Sequence, residues 1–426
     1  MNRQELSPAL ARLSAALSAA LSAALLVPAA QGEPADWTQW GGPNRDFVAP
    51  AGDLAEKWPE AGPKKLWQRD LGDGYSAVLV EDGRLYTMYR SGEKEAVIAL
   101  DAKTGETIWE AAYESGPQEG HVSQFGDGPR ATPLLVGDKL FTIGISGVMH
   151  ALQKSDGKVL WSHDLWKDFG GNFLNHGYSS SPVEYGDTVI ALVGGEGAGL
   201  VAFDQKTGKV AWKSTSFKNS YSAPQILKVN GKDQLITYMA DELIGVDPAN
   251  GELHWRYEIT NQWKQNIAMP VLVDGKHLML SSLQAGTRGL ELVEKDGVTT
   301  FEERWSTRKI QFYHVTTVRE GDWVYGVTGG GAPHFIAAVN ARTGEIGWRQ
   351  RGFTKANCVG ADGKLVILDE DGKLHLAETS DEGIDVLAEA QVLDKPSWTA
   401  PTVVGSTLYA RDKKVLVALD LGKGKG

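Results

Sequence analysis

Eight aromatic or polar side chains stand at one equivalent place in each of eight repeated segments of the chain. They are Tyr75, Arg130, Tyr178, Tyr221, Asn266, His314, Asn357 and Trp398. Tyrosine and tryptophan faces can stack on flat or sugar-like ligands, and Arg130 and His314 could hold an anionic group. Residues at equivalent positions around a common centre also pack against one another without any ligand. A purely structural role is therefore the alternative for each of them.

A second group of side chains could supply metal ligands from loops that face the same side. The group comprises Glu196, Asp241, His334, Asp369 and Glu370. A hard divalent ion requires several oxygen ligands, usually including a carboxylate, and the ring of eight contains none. Glu196 and Asp241 are the candidate ligands only if the protein is a metal-dependent enzyme, and convergence of these two residues with Asn266 would favour that function. Solvated loop carboxylates are the alternative interpretation.

A repeated phrase that ends in tryptophan must position these side chains. It reads ALDAKTGETIW up to Trp109, ALQKSDGKVLW up to Trp161, AFDQKTGKVAW up to Trp212, GVDPANGELHW up to Trp255 and AVNARTGEIGW up to Trp348, with a looser copy, LVEKDGVTTFEERW, ending at Trp305. Successive tryptophans lie 43 to 52 residues apart, which is the length of one four-stranded propeller blade. Each phrase predicts a strand, a tight turn with glycine at positive φ, and a second strand. Each tryptophan ring is expected to pack on the neighbouring blade.

Two further copies complete a ring of eight blades. HLAETSDEGIDVLAEA lacks the tryptophan but keeps the strand-turn-strand pattern. In the eighth copy, VLVALDL near the C-terminus is expected to pair with KKLWQRDL, which supplies Trp67. Pairing of the two chain ends closes the ring without an open edge strand. The sequence thus predicts an all-β, eight-bladed β-propeller of four-stranded antiparallel blades.

The residues before the propeller predict export. Arg3 and Arg12, the uncharged run from Leu13 to Val27 and the small residues up to Gly32 are typical of a secretory signal peptide over residues 1–32. An uncleaved signal anchor is the alternative. Residues 33–63 lack strand periodicity and are predicted to form a surface strap, followed by the propeller over residues 64–426. A periplasmic or secreted location is therefore expected.

Charge and cysteine content limit the classes of partner. The formal charge of −11 argues against nucleic acid or an anionic membrane as the main partner. Cys358 is the only cysteine, so the chain can form no internal disulfide and has no lipid-accepting cysteine after the predicted signal peptide. No HExxH zinc motif or GxSxG nucleophile motif is present. We expect a monomer without a transmembrane segment after signal cleavage.

The repeated A-x-D-x-x-T-G-x-x-x-W phrase resembles the tryptophan-docking motif of the pyrroloquinoline-quinone-like (PQQ-like) propellers, from about Lys64 to the end of the chain. The segments WTQWGGPNRD, GDGPRATPLL and GYSSSPVEYGD are similar to those of uncharacterised secreted members. The superfamily includes quinoprotein alcohol dehydrogenases and the propeller lipoprotein of the bacterial outer-membrane barrel-assembly machinery. The resemblance implies a fold and an exported location but no single activity.

Two functions follow as expectations. The first is a non-catalytic binding or scaffolding propeller that holds a protein partner or a small ligand of the cell envelope on one face, with no cofactor. The alternative is a dehydrogenase that oxidises an alcohol or a sugar with PQQ and calcium or a lanthanide. The resemblance implies a disulfide between adjacent cysteines in many such enzymes, which a single cysteine cannot form. A metal-sized, carboxylate-lined pocket on the axis would favour the dehydrogenase, and an exposed apolar or charged patch on a rim would favour the scaffold.

Overall fold

The computed structural model of the chain describes residues 36–50 and 52–423. The predicted signal peptide lies outside the described residues. Within them, the helical content is limited to α1 (Leu165–Phe169) and a 3-10 turn at Ser123–Phe125. No helix in these ranges is long and apolar enough to span a membrane. The described chain is therefore organised by its strands.

The strands form eight four-stranded antiparallel blades, one of which gains a short parallel fifth strand, and this confirms the predicted propeller. Two strands precede the first blade, β1 (Val48–Ala49) and β2 (Lys64–Asp70). Blade 1 comprises β3 (Leu79–Glu81), β4 (Arg84–Ser91), β5 (Lys94–Asp101) and β6 (Thr107–Glu114). Blade 2 comprises β7 (Leu134–Val136), β8 (Lys139–Ile143), β9 (Val148–Gln153) and β10 (Val159–Asp164). Blade 3 comprises β11 (Val183–Tyr185), β12 (Thr188–Gly195), β13 (Ala198–Asp204) and β14 (Val210–Lys213), and blade 4 comprises β15 (Gln225–Val229), β16 (Lys232–Tyr238), β17 (Glu242–Val246) and β18 (Leu253–Glu258). Blade 5 comprises β19 (Val271–Val273), β20 (His277–Ser282), β21 (Gly286–Lys295) and β22 (Val298–Thr307). Blade 6 comprises β23 (Val318–Glu320), β24 (Trp323–Val327), β25 (Ile336–Asn340) and β26 (Ile346–Gln350). Blade 7 comprises β27 (Ala356–Ala361), β28 (Lys364–Asp369), β29 (Lys373–Thr379) and β30 (Ile384–Gln391).

Blade 8 joins the two ends of the propeller. Its first three strands are β31 (Thr402–Val404), β32 (Thr407–Arg411) and β33 (Val415–Asp420), and β2 supplies the fourth. Strand β2 runs antiparallel to β33, with Trp67 opposite Ala418. The predicted closure by pairing of N- and C-terminal strands is confirmed.

We denote the strands of each blade A to D from the axis outwards. The B and C strands carry the apolar core, as in β5, where Val97, Ile98 and Leu100 are fully buried. Burying a side chain of this size stabilises the fold by about 1.5–3 kcal/mol. The short A strands surround the axis and the D strands form the outer rim. Function can therefore reside at the axis or at the rim, while the layers between them hold the blades together.

The tryptophans of the D strands link each blade to the next one. The Trp67 indole N–H donates to the Ala102 carbonyl at 3.0 Å, and its ring covers Gly105. A Cβ at Gly105 would lie 2.8 Å from that ring, and φ there is +73°, so glycine is needed for both reasons. The same contact to the next C–D turn is made by the indole N–H of Trp109, Trp161, Trp305 and Trp348.

Two tryptophans depart from this pattern. The Trp212 ring covers Gly251, but its indole N–H has no partner among the described residues. Trp255 donates to Gln234 of its own blade at 2.9 Å and packs edge-on against Phe301 of blade 5. The reason lies in blade 5, where β21 and β22 form a longer hairpin than the other C–D pairs and carry its turn away from the Trp255 ring.

The segment before the propeller, predicted to form a surface strap, is partly buried against the blades. Trp37 pairs with Val80 of blade 1, and β1 runs parallel to β27 of blade 7. Leu54 is fully buried beside blade 8. The contacts of Trp37 and β1 lie beside A–B turns and Leu54 pairs with Gly422 just after β33, so the segment crosses that end of the propeller. The absence of strand periodicity indicated irregular backbone correctly but gave no information on burial.

The buried segment also carries a charge into the propeller. Arg45 donates to the carbonyl oxygens of Pro182 and Pro224, both at 3.3 Å, and burial lowers its pKa to about 9. No carboxylate lies within 4 Å of its guanidinium in the described ranges. The contacts are backbone carbonyls of blades 3 and 4, which fix the segment near the axis.

Candidate functional site

A cavity of about 1110 Å³ occupies the axis of the propeller. Its wall includes Gln225 at the start of an A strand and Thr132 and Ser181 just before A strands, and the segment before the propeller contributes Trp40 and Arg45 at the A–B end. The D–A connections surround the other end, which we call the mouth. The cavity is thus lined by a different stretch of sequence from every blade.

The structure brings most of the predicted ring residues together around this cavity. Those in its wall are Tyr75, Arg130, Tyr221, His314, Asn357 and Trp398. Each belongs to a D–A connection or to the start of an A strand, as expected from the repeat. Six of the eight predicted positions therefore lie around one cavity, at the end of the propeller where the D–A connections meet.

Tyr178 and Asn266 do not line the cavity, which corrects the prediction for these two residues. Tyr178 is fully buried and donates to the Leu192 carbonyl at 2.8 Å. The Asn266 side chain is also fully buried and donates to the Met239 carbonyl at 2.9 Å. Adjacent residues in extended chain point to opposite sides, so a register error of one residue reverses a side chain. Ser179 and Gln265, each one residue away, line the wall instead.

An aromatic cluster borders the mouth. The Trp398 ring lies 5.5 Å from Tyr75 and 5.7 Å from Phe125, centroid to centroid, and Phe125 lies 5.5 Å from His176. Glu370 fixes the Trp398 indole because its carboxylate accepts the indole N–H at 3.0 Å. These faces present a preformed stacking surface to anything that enters.

Positive charge lies directly beside this cluster. The Arg130 guanidinium is 5.7 Å from the Tyr75 ring centroid, and the Lys355 ammonium is 5.6 Å from that of Trp398. Arg130 donates to the Gly126 carbonyl at 2.9 Å, while its Nε has no partner among the described residues. Burial lowers the Arg130 pKa from its usual value, and no carboxylate within the described part of the chain lies within 4 Å of it. The mouth therefore combines aromatic faces with cations that lack a counter-ion.

The two histidines at the mouth have a different role from that of the cations. Enclosure by the cavity wall lowers the pKa of His314, and the charge of Lys355 lowers it further. Burial also lowers the pKa of His176, and Arg130 adds to the shift. Both imidazoles are thus neutral near pH 7 and can offer hydrogen bonds but no charge. His314 could therefore contact an anionic group through a hydrogen bond rather than through a positive charge.

Sequence reasoning missed several mouth residues, including Phe125, His176, Trp263, Tyr313 and Lys355. They lie in D–A connections, whose lengths differ between blades and which carry no copy of the repeated phrase. The length of the connections after β6 and β10 was the available signal, because long loops at one end of a propeller must fold over its axis.

The candidate metal ligands are not gathered at the axis. Asp241 forms an ion pair with Lys264 and accepts a hydrogen bond from Thr260 at 2.9 Å, and neither Asp241 nor Glu196 lines the cavity. His334 and Asp369 also lie outside the wall, and Asp369 faces His375 at 3.7 Å. Among the residues that the structure describes, no three His, Cys, Asp or Glu are placed to hold a metal ion.

The donor chemistry of the cavity does not fit a hard cation. Its only acidic wall residues in the described ranges are Asp46 and Asp274. The Asp46 carboxylate accepts the Val48 N–H at 3.1 Å, and Asp274 pairs with His277 at 2.9 Å. A calcium or lanthanide ion would require several converging oxygen ligands at the mouth, where the side chains are instead cationic and aromatic.

Comparison with known proteins identifies relatives of two kinds. The profile of the family described as outer membrane protein assembly factor BamB matches residues 44–127 and 93–335, more than half of the chain. BamB of Shewanella oneidensis is 23% identical over 377 residues, covering 84% of this chain and 88% of that protein. A quinoprotein ethanol dehydrogenase of Pseudomonas putida is 26% identical over 240 residues, covering 50% of this chain and 36% of that protein.

The solved structures agree on the fold. Quinohemoprotein alcohol dehydrogenase from Comamonas testosteroni superposes with a TM-score of 0.66 at 14% identity, over 92% of this chain and 81% of that one. At this identity the likeness shows the fold alone. The matched part spans less than half of the length of several curated relatives, including the dehydrogenase from P. putida.

Proposed function

Because the chain belongs to the family described as outer membrane protein assembly factor BamB, we propose that it is a non-catalytic binding propeller of the cell envelope that holds a small anionic ligand in its axial cavity. The family supports a binding or scaffolding role in the envelope. The cavity geometry supports the choice of ligand.

The observation that carries the proposal is the buried Arg130 at the mouth, which forms no ion pair with any described residue although Asp73 and Asp127 lie nearby. Removing a guanidinium from water without an opposite charge is costly, and a ligand carboxylate or phosphate would supply that charge. The Lys355 ammonium lies 5.6 Å from the centroid of the Trp398 ring, which contacts Tyr75, so a ligand that stacks on these rings would be near two cations. The nearest described acids are engaged elsewhere, since Asp73 pairs with Lys413 and Glu370 pairs with Lys395 and accepts the Trp398 indole N–H.

The aromatic faces narrow the class of ligand. Trp398 is held by Glu370, so its ring is ordered before any ligand binds. A flat ring that stacks on Trp398 would place an attached carboxylate toward Arg130 or Lys355. The hydroxyl and amide groups of Thr132, Ser181 and Gln225 line the wall farther in and suit a polar remainder. A flat carboxylated ligand is thus the best match.

A PQQ-dependent dehydrogenase is the second candidate, favoured by the similarity to quinoprotein ethanol dehydrogenase over half of the chain. A carboxylated quinone would satisfy the cations and the stacking surface. The lack of converging metal ligands among the described residues of the mouth and the single cysteine argue against the associated redox chemistry. The two candidates therefore differ in metal dependence and turnover.

The test is calorimetric titration of the purified protein with PQQ and with simple aromatic carboxylates, each with and without calcium or a lanthanide. We expect saturable binding without metal and no dye reduction with alcohols or sugars. The variant Arg130→Gln should bind about 10–100-fold more weakly, because a hydrogen bond to a charged group contributes about 1.5–3 kcal/mol. Arg308→Gln, an exposed arginine outside the axial cavity, is the matched control.

The other outcomes discriminate clearly. Binding that requires the metal and is accompanied by dye reduction would establish the dehydrogenase. If no carboxylated ligand binds at high micromolar concentration, or if Arg130→Gln binds as well as the native protein, the cavity proposal is wrong.

A further inference from the structure

A second arginine lines the axial cavity at a deeper level than Arg130. Arg45 belongs to the segment before the propeller and is only 6% exposed. Its guanidinium donates to the carbonyl oxygens of Pro182 and Pro224, each of which directly precedes an A strand. The same cavity therefore has one buried cation at the mouth and another farther along the axis.

The repeat gives the separation of the two cations along the axis. Pro182 and Pro224 stand one residue before β11 and β15, whereas Arg130 stands four residues before β7. Because the blades are equivalent, the difference of three residues in extended chain corresponds to about 10 Å. Arg130 and Arg45 are therefore too far apart to share one carboxylate. A ligand that contacts both must carry two anionic groups.

The passage between the two arginines is bordered mainly by small side chains. Alternate residues of an extended chain face the same side, so the residues two positions before the A strands face the axis. Those in the cavity wall are Thr132, Ser181, Ala223, Thr316 and Ala400. The larger Met269 of blade 5 is held against Trp40, whose indole N–H donates to its sulfur at 3.0 Å. A slender ligand can therefore extend inward from the mouth.

Arg45 forms no ion pair with any carboxylate of the described residues. The charge of Glu184 offsets only part of the effect of burial, which lowers the pKa of Arg45 to about 9. The neighbouring Asp46 carboxylate accepts the Val48 N–H at 3.1 Å. The proline carbonyls satisfy N–H groups of Arg45 but do not neutralise its charge. An anionic group of a ligand would do so.

The backbone holds Arg45 in place although its conformation is unfavourable. The φ angles of Arg45 and Phe47 are +58° and +57°, a region that residues other than glycine rarely adopt. The Arg45 carbonyl accepts the Gln225 side-chain amide at 3.3 Å, and the second polar atom of that amide, the buried Oε1, has no partner among the described residues. Strained backbone of this kind is concentrated at binding and active sites.

The other charged wall residues at this end, apart from Asp46, are exposed. Lys228 pairs with Asp233 at 3.3 Å, and Asp274 pairs with His277 at 2.9 Å. Arg319 is also exposed to solvent. Water and salt screen such charges, whereas a buried charge is screened much less. Arg45 is therefore the cation at this level that an entering anion would meet away from water.

We propose that the axial cavity binds a ligand with anionic groups at both ends of a flat, slender body, one at Arg130 and the other at Arg45. The inference rests on the proposed function, because it extends the ligand of the mouth inward. The rings of Trp398 and Tyr75 stack on the outer part of such a ligand, and the small side chains surround its middle.

The test compares aromatic acids that differ only in a second carboxylate, by calorimetric titration of the native protein. Benzoate is paired with terephthalate, in which both carboxylates lie on one ring. Biphenyl carboxylate is paired with the para-linked biphenyl dicarboxylate, in which two rings in line separate them. We expect the second carboxylate to raise the affinity at least tenfold in the two-ring pair and less than threefold in the one-ring pair, because only the longer acid reaches both arginines.

Variants then identify the group that binds the second carboxylate. Arg45→Gln should abolish the gain and leave the affinity for biphenyl carboxylate within twofold, since that acid is held at Arg130. Arg45→Lys keeps the charge and should retain part of the gain. The matched control is Arg319→Gln, which removes an exposed arginine at the same end and should retain the whole gain.

The outcomes separate this inference from the proposed function. If the native protein binds both biphenyl acids equally well, the inference is wrong while the ligand of the mouth stands. A gain that survives in Arg45→Gln, or that is lost in Arg319→Gln, also overturns it, because another group then binds the second carboxylate. If no aromatic acid binds, the proposed function fails and this inference fails with it. If Arg45→Gln does not fold, the native pairs and the variants Arg45→Lys and Arg319→Gln decide the question.

Discussion

The outer shell and the mouth of the propeller use the repeat in opposite ways. In the shell seven of the eight blades place a tryptophan at the same position, and most of these rings cover the glycine of the next turn. At the mouth the equivalent positions hold tyrosine, arginine, histidine, asparagine and tryptophan. Where blades must fit one another, one contact is repeated. Where they need not, the side chains differ, and the charge and shape of the cavity arise from those differences.

The largest expected effect comes from replacing one tryptophan by alanine in each of the two regions. Trp109→Ala removes a ring that is nearly buried against Gly157 and should lower the free energy of unfolding by about 3–5 kcal/mol. Trp263→Ala removes a mouth ring that is 52% exposed and should change it by less than about 0.5 kcal/mol. Urea unfolding of both variants measures the difference. Equal losses would mean that the mouth is as structural as the shell.

Lowering the pH should reduce the free energy of unfolding by a smaller amount, because it protonates a buried histidine of the shell. Burial lowers the pKa of His150, which lies 4.4 Å from the Tyr113 ring, to about 4. The unfolded chain binds this proton below its usual pKa of about 6.5, whereas the folded chain does not until about pH 4. The stability contributed by neutral His150 is therefore complete above pH 6.5 and is lost as the pH falls toward 4.

His150→Gln isolates this contribution. The native protein should lose about 2 kcal/mol more than the variant between pH 7.5 and pH 5, as measured by urea unfolding at each pH. Glu95, buried in the same region, acts in the opposite sense because burial raises its pKa. Since Glu95 is present in both proteins, the difference between them reports His150. Identical pH dependence would show that the shell at His150 is open to water.

The repeated parts of the molecule could be predicted from the sequence, whereas the parts that differ between blades could not. The repeated phrase located the strands of every blade, the closing pair β2 and β33, and the end of the axis at which Tyr75 and Trp398 meet. It failed for Tyr178 and Asn266 because the connections before them differ in length, so the register of one blade does not transfer to another. Lys355 and Phe125 lie outside the repeated phrase, and no periodicity could reveal them.

The first described segment shows that burial, too, can escape prediction from sequence periodicity. Trp37, Phe47 and Leu54 follow no strand or helix period, yet all three are buried. They contact blades 1, 7 and 8 rather than a repeat of their own. Periodicity in a sequence indicates regular secondary structure. Burial of an irregular segment instead depends on a concave surface that exists only after the ring of blades has closed.

The smallest expected effect concerns the support of the mouth. Glu370→Ala removes the acceptor of the Trp398 indole N–H, so the ring is no longer held in place before a ligand arrives. A net hydrogen bond of about 1 kcal/mol corresponds to a loss of about 3–10-fold in affinity for an aromatic carboxylate, measured by calorimetry. Glu196→Ala, which removes an exposed carboxylate outside the cavity wall, should leave the affinity unchanged. If both variants bind equally well, Trp398 is ordered by Tyr75 and Phe125 alone. The mouth would then resemble the shell, in which ring packing suffices, and the contrast between the two regions would be one of charge only.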